Sequence, residues 1–102
     1  MSKKRSTKAE ELLYEAILAL RDIEECRAFF NDVCTVNELL SMSQRFEVAK
    51  MLRDKRTYQE ITEYTGASTA TISRVNRSLN YGNDGYQVIF KRLEEKGTDD
   101  QI

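Results

Sequence analysis

Between Thr65 and Leu79 the chain reads TGASTATISRVNRSL: six hydroxyl side chains, two arginines and no carboxylate, in a protein that is 32% charged. The acid-free span extends from Tyr64 to Asn83, bounded by Glu63 and Asp84. Small hydroxyls and Ala70 can come close to base edges or phosphates, and Arg74 and Arg77 can engage phosphate or guanine, whereas a carboxylate would repel the polyanion. Other chemistry is poorly served. Cys26 and Cys34 are the only two cysteines and histidine is absent, so a zinc site lacks ligands and the commonest general base is missing. No glycine-rich phosphate loop or close carboxylate pair stands out either. The cysteines read as core or boundary thiols, a metal site is not expected, and the chain does not read as an enzyme.

These residues need rigid elements to present them, and the sequence supplies helices. Four glycines, no proline and many Glu, Lys, Arg, Leu and Ala among 102 residues favour an all-α domain. Thr7-Lys8-Ala9-Glu10 has the form of a capping box, followed by Leu12, Leu13, Ala16, Ile17, Leu20 and Ile23 on one helical stripe. A break is expected within 21–26, before Phe29, Phe30 and Val33. Thr35-Val36-Asn37-Glu38 is a second box, opening a helix with Leu39 and Leu40. Ser41 or Ser43 then starts a further stretch with Phe46, Val48, Ala49, Met51 and Leu52 inward and Arg45, Lys50, Arg53, Lys55 and Arg56 outward, either as a second helix or as one bent helix. Thr57-Tyr58-Gln59-Glu60 is a third box. It begins a short helix anchored by Ile61 and Tyr64 and ended by Gly66, which can take a left-handed turn. Ser68 or Thr69 caps the next helix, with Ile72, Val75 and Leu79 inward. A last helix near Asn83 or Asp84 buries Tyr86, Ile89, Phe90 and Leu93. The organisation is a basic tail over 1–6, one helical domain over 7–96 and a frayed end over 97–102.

The net charge of -1 hides a partition. Residues 1–9 carry +4, 10–38 carry -6, 39–92 carry +4 and 93–102 carry -3. Only local basic surface matters to a polyanion, so the 39–92 block could face one while 10–38 could not. The basic tail could be a solvated terminus or a phosphate-contacting arm. No apolar run approaches the roughly 20 residues of a membrane span, and Met1-Ser2-Lys3-Lys4-Arg5 is no signal core; a cytoplasmic protein is expected.

An anchor at Ile61, a tight turn at Gly66 and anchors at Ile72 and Val75 fit a helix-turn-helix over about 57–79. The second helix of that motif enters the major groove while the first crosses the backbone. The 3.6 period turns Thr69, Ala70, Ser73, Arg74 and Arg77 outward, and Ser68 lies at the helix start. From Leu39 to Leu79 the chain resembles the tryptophan repressor family, most closely in Tyr58-Gln59-Glu60 through Gly66-Ala67, in Ala70-Thr71-Ile72-Ser73-Arg74 and in Ser78-Leu79. Leu40-Ser41-Met42-Ser43-Gln44-Arg45-Phe46-Glu47-Val48-Ala49-Lys50-Met51-Leu52 and Tyr81-Gly82-Asn83-Asp84-Gly85-Tyr86 are similar to its YerC/YecD branch. The resemblance implies an intertwined all-helical homodimer that binds double-stranded DNA as a transcriptional regulator. It places Gln59, Thr62, Thr69, Ala70, Ser73 and Arg74 toward DNA.

For the family's effector pocket the resemblance implies Thr71, Arg74 and Ser78, with Gln44 where the family has a ligand-capping arginine, Arg45 one residue out of register, and Val75 where the family has a glycine that admits the indole ring. Branched methyls at Val75 would stand where a flat ring lies, so tryptophan is not expected to bind; no cofactor is expected, and any small-molecule effector is unassigned. Phosphate contacts are expected from Arg45, Lys50, Arg53, Lys55, Arg56, Arg74 and Arg77, although Arg53, Lys55 and Arg56 could equally be a solvated helix end that complements the helix dipole. Two other classes fit less well. One is a protein-interaction module in which the acidic first half, with Phe29 and Phe30, grips a partner and the helix-turn-helix is structural; the other is a cysteine-dependent enzyme, which would need a reactive Cys26 or Cys34.

Overall fold

The computed structural model describes residues 7–97; the expected basic tail over 1–6 and all but Gly97 of the expected frayed end lie outside the described residues. Six helices follow one another: α1 (Lys8–Leu18), α2 (Ile23–Val33), α3 (Val36–Arg53), α4 (Tyr58–Thr65), α5 (Thr69–Tyr81) and α6 (Gly85–Glu95). No strand occurs among the described residues. The chain divides between Leu39 and Leu40 into two units.

All three expected capping boxes form. The Thr7 hydroxyl accepts from the Glu10 amide at 3.1 Å while the Thr7 amide donates to the Glu10 carboxylate at 2.8 Å, and Thr35 with Glu38 and Thr57 with Glu60 repeat the exchange. Each satisfies two donors that a helix start would leave orphaned. The break after α1 comes earlier than the spacing predicts, at residues 19–22, so Leu20 is outside both helices and Ile23 opens α2 rather than closing the stripe of α1. The cause is Asp22, whose carboxylate caps α2 by accepting from the Glu25 amide at 2.8 Å. The open question over 36–53 resolves as one continuous helix. Ser41 and Ser43 lie inside it, so neither starts a helix.

In the N-terminal unit, α1 and α2 contain no buried residue. Leu12, Leu18, Ile23, Val33 and Val36 are each more than half exposed. Phe29 and Phe30 meet edge to face, with ring centroids 5.5 Å apart.

The second unit holds the core: Val48, Ala49 and Met51 of α3, Ile61 of α4, Ala67 in the turn, Ile72 and Val75 of α5 and Phe90 of α6. Phe46, Leu52, Leu79, Tyr86 and Leu93 pack around it, and Phe46, Tyr86 and Phe90 form an aromatic group with centroids 5.2 to 6.4 Å apart. Ile89, expected inward, is 42% exposed, because the α6 period turns Tyr86, Phe90 and Leu93 inward instead. The α5–α6 connection depends on Gly82, where an added Cβ would fall on the Ser78 carbonyl oxygen. Asp84 precedes α6 in a left-handed conformation (φ 66°) and makes no side-chain cap.

Candidate nucleic-acid interface

The α4–α5 pair is a helix, a tight turn and a second helix. Gly66 ends α4 at φ 78°, its amide donating to the Thr62 carbonyl at 2.9 Å, a backbone geometry that glycine adopts at no steric cost. The Thr65 hydroxyl donates to the Ile61 carbonyl at 2.7 Å and accepts from the Ala67 amide at 3.0 Å, bracing the turn from within. Ser68 then caps α5: its Oγ accepts from the Thr71 amide and donates to the Thr71 hydroxyl, both at 3.1 Å. With Ile72 and Val75 sealed in the core, the 3.6-residue period leaves the other face of α5 in solvent.

All eight residues expected to face DNA are exposed: Gln59 and Thr62 on α4, and Ser68, Thr69, Ala70, Ser73, Arg74 and Arg77 at or along α5. Gln59 donates weakly to Glu63, at 3.4 Å, on the outer surface of α4. The first turns of α1, α2, α3 and α4 all carry glutamates, whereas the first turn of α5 carries no acid. Its positive helix end is therefore capped by the Ser68 hydroxyl but met by no negative charge in its first turn.

The expected phosphate contacts divide. Arg45, Lys55, Arg74 and Arg77 are exposed, with Arg45 also donating to the Ser41 hydroxyl. Arg56 is exposed and paired with Glu60 at 3.2 Å. Lys50 and Arg53 require correction. Lys50 is only 6% exposed and its ammonium meets Asp54 at 2.6 Å, its stem lining a crevice with Met51, Asp54, Arg56 and Tyr64; a long aliphatic stem buries readily when the head finds a partner. Arg53 lies over the Phe90 ring, 5.3 Å from its centroid, and pairs with Glu94. Both are held by the fold. Hydrogen bonds from the Thr57 backbone and then from the Arg56 side chain hold the Glu60 carboxyl below its ordinary value of 4.5.

The residues named for an effector pocket are dispersed. Gln44 lines an open cleft of about 470 Å³ with Leu40, Ser43, Phe46, Glu47 and Thr65, and its amide donates to the Thr65 carbonyl at 3.2 Å. Ser78 lines a different groove, of about 430 Å³, with Phe46, Gly82, Asn83, Gly85 and Tyr86. Val75 is 1% exposed within the core, Thr71 is half-buried against Ser68, and Arg74 and Arg45 point outward. The sequence reading missed the Gln44 and Thr65 bonds. A threonine directly before the turn glycine was the available signal for the second.

Residues 8–94 match the family model described as Trp repressor protein. The chain belongs to the Trp repressor family. Membership puts it among DNA-binding regulators, a non-enzymatic class. Within the family it is similar to the uncharacterized protein YerC of Bacillus subtilis (strain 168), 56% identical over 87 residues that span 85% of this chain and 84% of YerC. A TrpR-like protein from Eubacterium eligens ATCC 27750 has a solved structure that matches with a TM-score of 0.84 at 69% identity, over 86% of this chain and 91% of that one. A Staphylococcus aureus structure described as a candidate Trp repressor also matches at 0.84, with 53% identity over 87% and 89%. No helix among the described residues is long and apolar enough to cross a membrane. None of the described residues form a group of three or more His, Cys, Asp or Glu suited to a metal ion.

Proposed function

We propose that this Trp repressor family member is a cytoplasmic, sequence-specific DNA-binding regulator that acts as a homodimer, represses by occupying its site, and does so without tryptophan or a cofactor. The observation that carries this reading is the exposed, acid-free face of α5. Thr69, Ala70, Ser73 and Arg74 offer the small hydroxyl, methyl and guanidinium groups that meet base edges and phosphates in a major groove. Gln59 and Thr62 on α4 then sit toward the flanking backbone, as the first helix of such a motif does.

The homodimer is supported by the N-terminal helices. An apolar stripe with no buried residue in α1 or α2 leaves a surface that a second copy would cover, since exposed apolar patches of this extent mark association surfaces. Two reading helices related by a two-fold axis would meet successive major grooves about 34 Å apart. Independence from tryptophan is supported by Val75, sealed in the core, and by Gln44, whose amide is engaged with the Thr65 carbonyl.

Selection of random duplex DNA by the purified protein tests the reading. A recovered near-palindrome is the expected result. No enrichment at low salt, with retained capture of a protein partner, would favour an interaction module instead. Saturable micromolar binding of tryptophan in calorimetry would overturn the claim of independence.

A further inference from the structure

The α4–α5 turn carries four hydrogen bonds of note. Three are local: Gly66 amide to Thr62 carbonyl, Thr65 hydroxyl to Ile61 carbonyl and Ala67 amide to Thr65 hydroxyl. These fix the shape of the turn but not its placement against the helix beneath. The fourth comes from 21 residues away, where the half-buried Gln44 side chain of α3 donates through Nε2 to the Thr65 backbone carbonyl at 3.2 Å. That carbonyl is the last of α4, one of the acceptors a helix end leaves without an intrahelical partner. Ser68, Thr69 and Ala70, the first residues proposed to meet DNA, follow within five positions.

From this geometry we infer that Gln44 is a positioning residue for DNA reading, setting the turn against α3 so that α5 is pre-placed before DNA arrives. The inference rests on the proposed DNA-reading function and adds to it a residue that never touches DNA. A donor is essential, because the acceptor is a carbonyl. Reach is essential too, because the bond spans from one helix to the end of another. If the tie is lost, the turn samples other placements, and apparent affinity falls by the fraction of time that α5 spends out of position.

The test combines DNA affinity with amide hydrogen exchange on the full chain. Gln44→Leu removes the donor, Gln44→Asn keeps a donor but is one carbon shorter, and Gln44→Lys keeps a donor with the reach to span the gap, one bond longer than Gln and positively charged. Loss of one such bond should lower affinity for the selected duplex by roughly fivefold, with an unchanged salt slope because no phosphate contact is lost. Exchange at Gly66 and Ala67 should quicken in Gln44→Leu and Gln44→Asn while core amides of α3 stay protected. Gln44→Lys should return both readouts toward wild type. Wild-type behaviour of Gln44→Leu, or a loss accompanied only by uniform quickening across the protein, would overturn the inference, as would failure of Gln44→Lys to rescue. If wild type selects no duplex, the DNA reading falls and positioning for DNA falls with it, while turn exchange still reports whether Gln44 holds the turn.

Discussion

Arg53 and Arg74 looked alike as candidate phosphate contacts, and the structure gives them opposite fates that two substitutions can separate. Arg74 is exposed on α5, so Arg74→Ala should change stability by no more than about 0.5 kcal/mol, as for other surface sites without special contacts. A guanidinium engaged with a base or phosphate contributes about 1–3 kcal/mol per half-site, which corresponds to roughly 5- to 150-fold in affinity, applied at both half-sites of a dimer. Arg53, its side chain 29% exposed, lies over Phe90 and pairs with Glu94, itself 48% exposed. A partly desolvated cation over a ring contributes about 1–2 kcal/mol, and a half-exposed ion pair adds about 0.5 kcal/mol. Arg53→Ala should therefore cost about 1.5–2.5 kcal/mol of stability by these contributions, and leave the affinity of the folded protein for DNA within about twofold. Thermal unfolding at fixed protomer concentration and fluorescence anisotropy with the selected duplex read the two quantities. An Arg53→Ala protein with an unchanged melt and a large loss of DNA affinity, or an Arg74→Ala protein with the reverse, would refute the division.

Two glycines should respond differently to alanine: Gly66→Ala strains a left-handed residue in open space and should cost about 1 kcal/mol, whereas Gly82→Ala meets the Ser78 carbonyl oxygen and should cost more, about 1–3 kcal/mol, by chemical denaturation. The Glu60 carboxyl titrates below its ordinary value of 4.5, so its contribution is fully present above that pH and is lost as pH falls through the lowered folded value; the stability difference between wild type and Glu60→Gln should shrink over that acidic range in pH-dependent melts, and a constant difference would contradict it. Leu18, 84% exposed within one chain, should tolerate Glu in a monomer, so conversion of a dimer to a monomer by Leu18→Glu in sedimentation would locate the association surface on α1, and an unaltered dimer would exclude it.

The helices and the helix-turn-helix were legible because their signals are local. A threonine three residues before a glutamate specifies a helix start without reference to the rest of the chain, and all three such pairs formed. Gly66 with Ile61, Ile72 and Val75 was legible for the same reason. What escaped depends on distant partners. Lys50 and Arg53 share an outer-looking face of α3 in the sequence, but Asp54 one turn on and Phe90 and Glu94 on another helix decide where their charges go. The break before α2 fell at the near edge of its expected window because α1 stops at Leu18, although Asp22, a preferred N-cap residue, was a local signal for the start of α2. Gln44 looked like a position in a ligand pocket, and its hydrogen bond to a carbonyl 21 residues away has no sequence signature.

The acid-free first turn of α5 sets stability against purpose at adjacent positions. Glutamate at Thr69 or Ala70 would complement the helix end and add about 0.3–1 kcal/mol of stability, so a screen for heat resistance would favour it. The same carboxylate would stand where the proposed DNA phosphates approach. On the proposed function, variants selected for toughness at these positions would be the ones least able to hold an operator, and the native chain keeps α5 less stable than its composition permits.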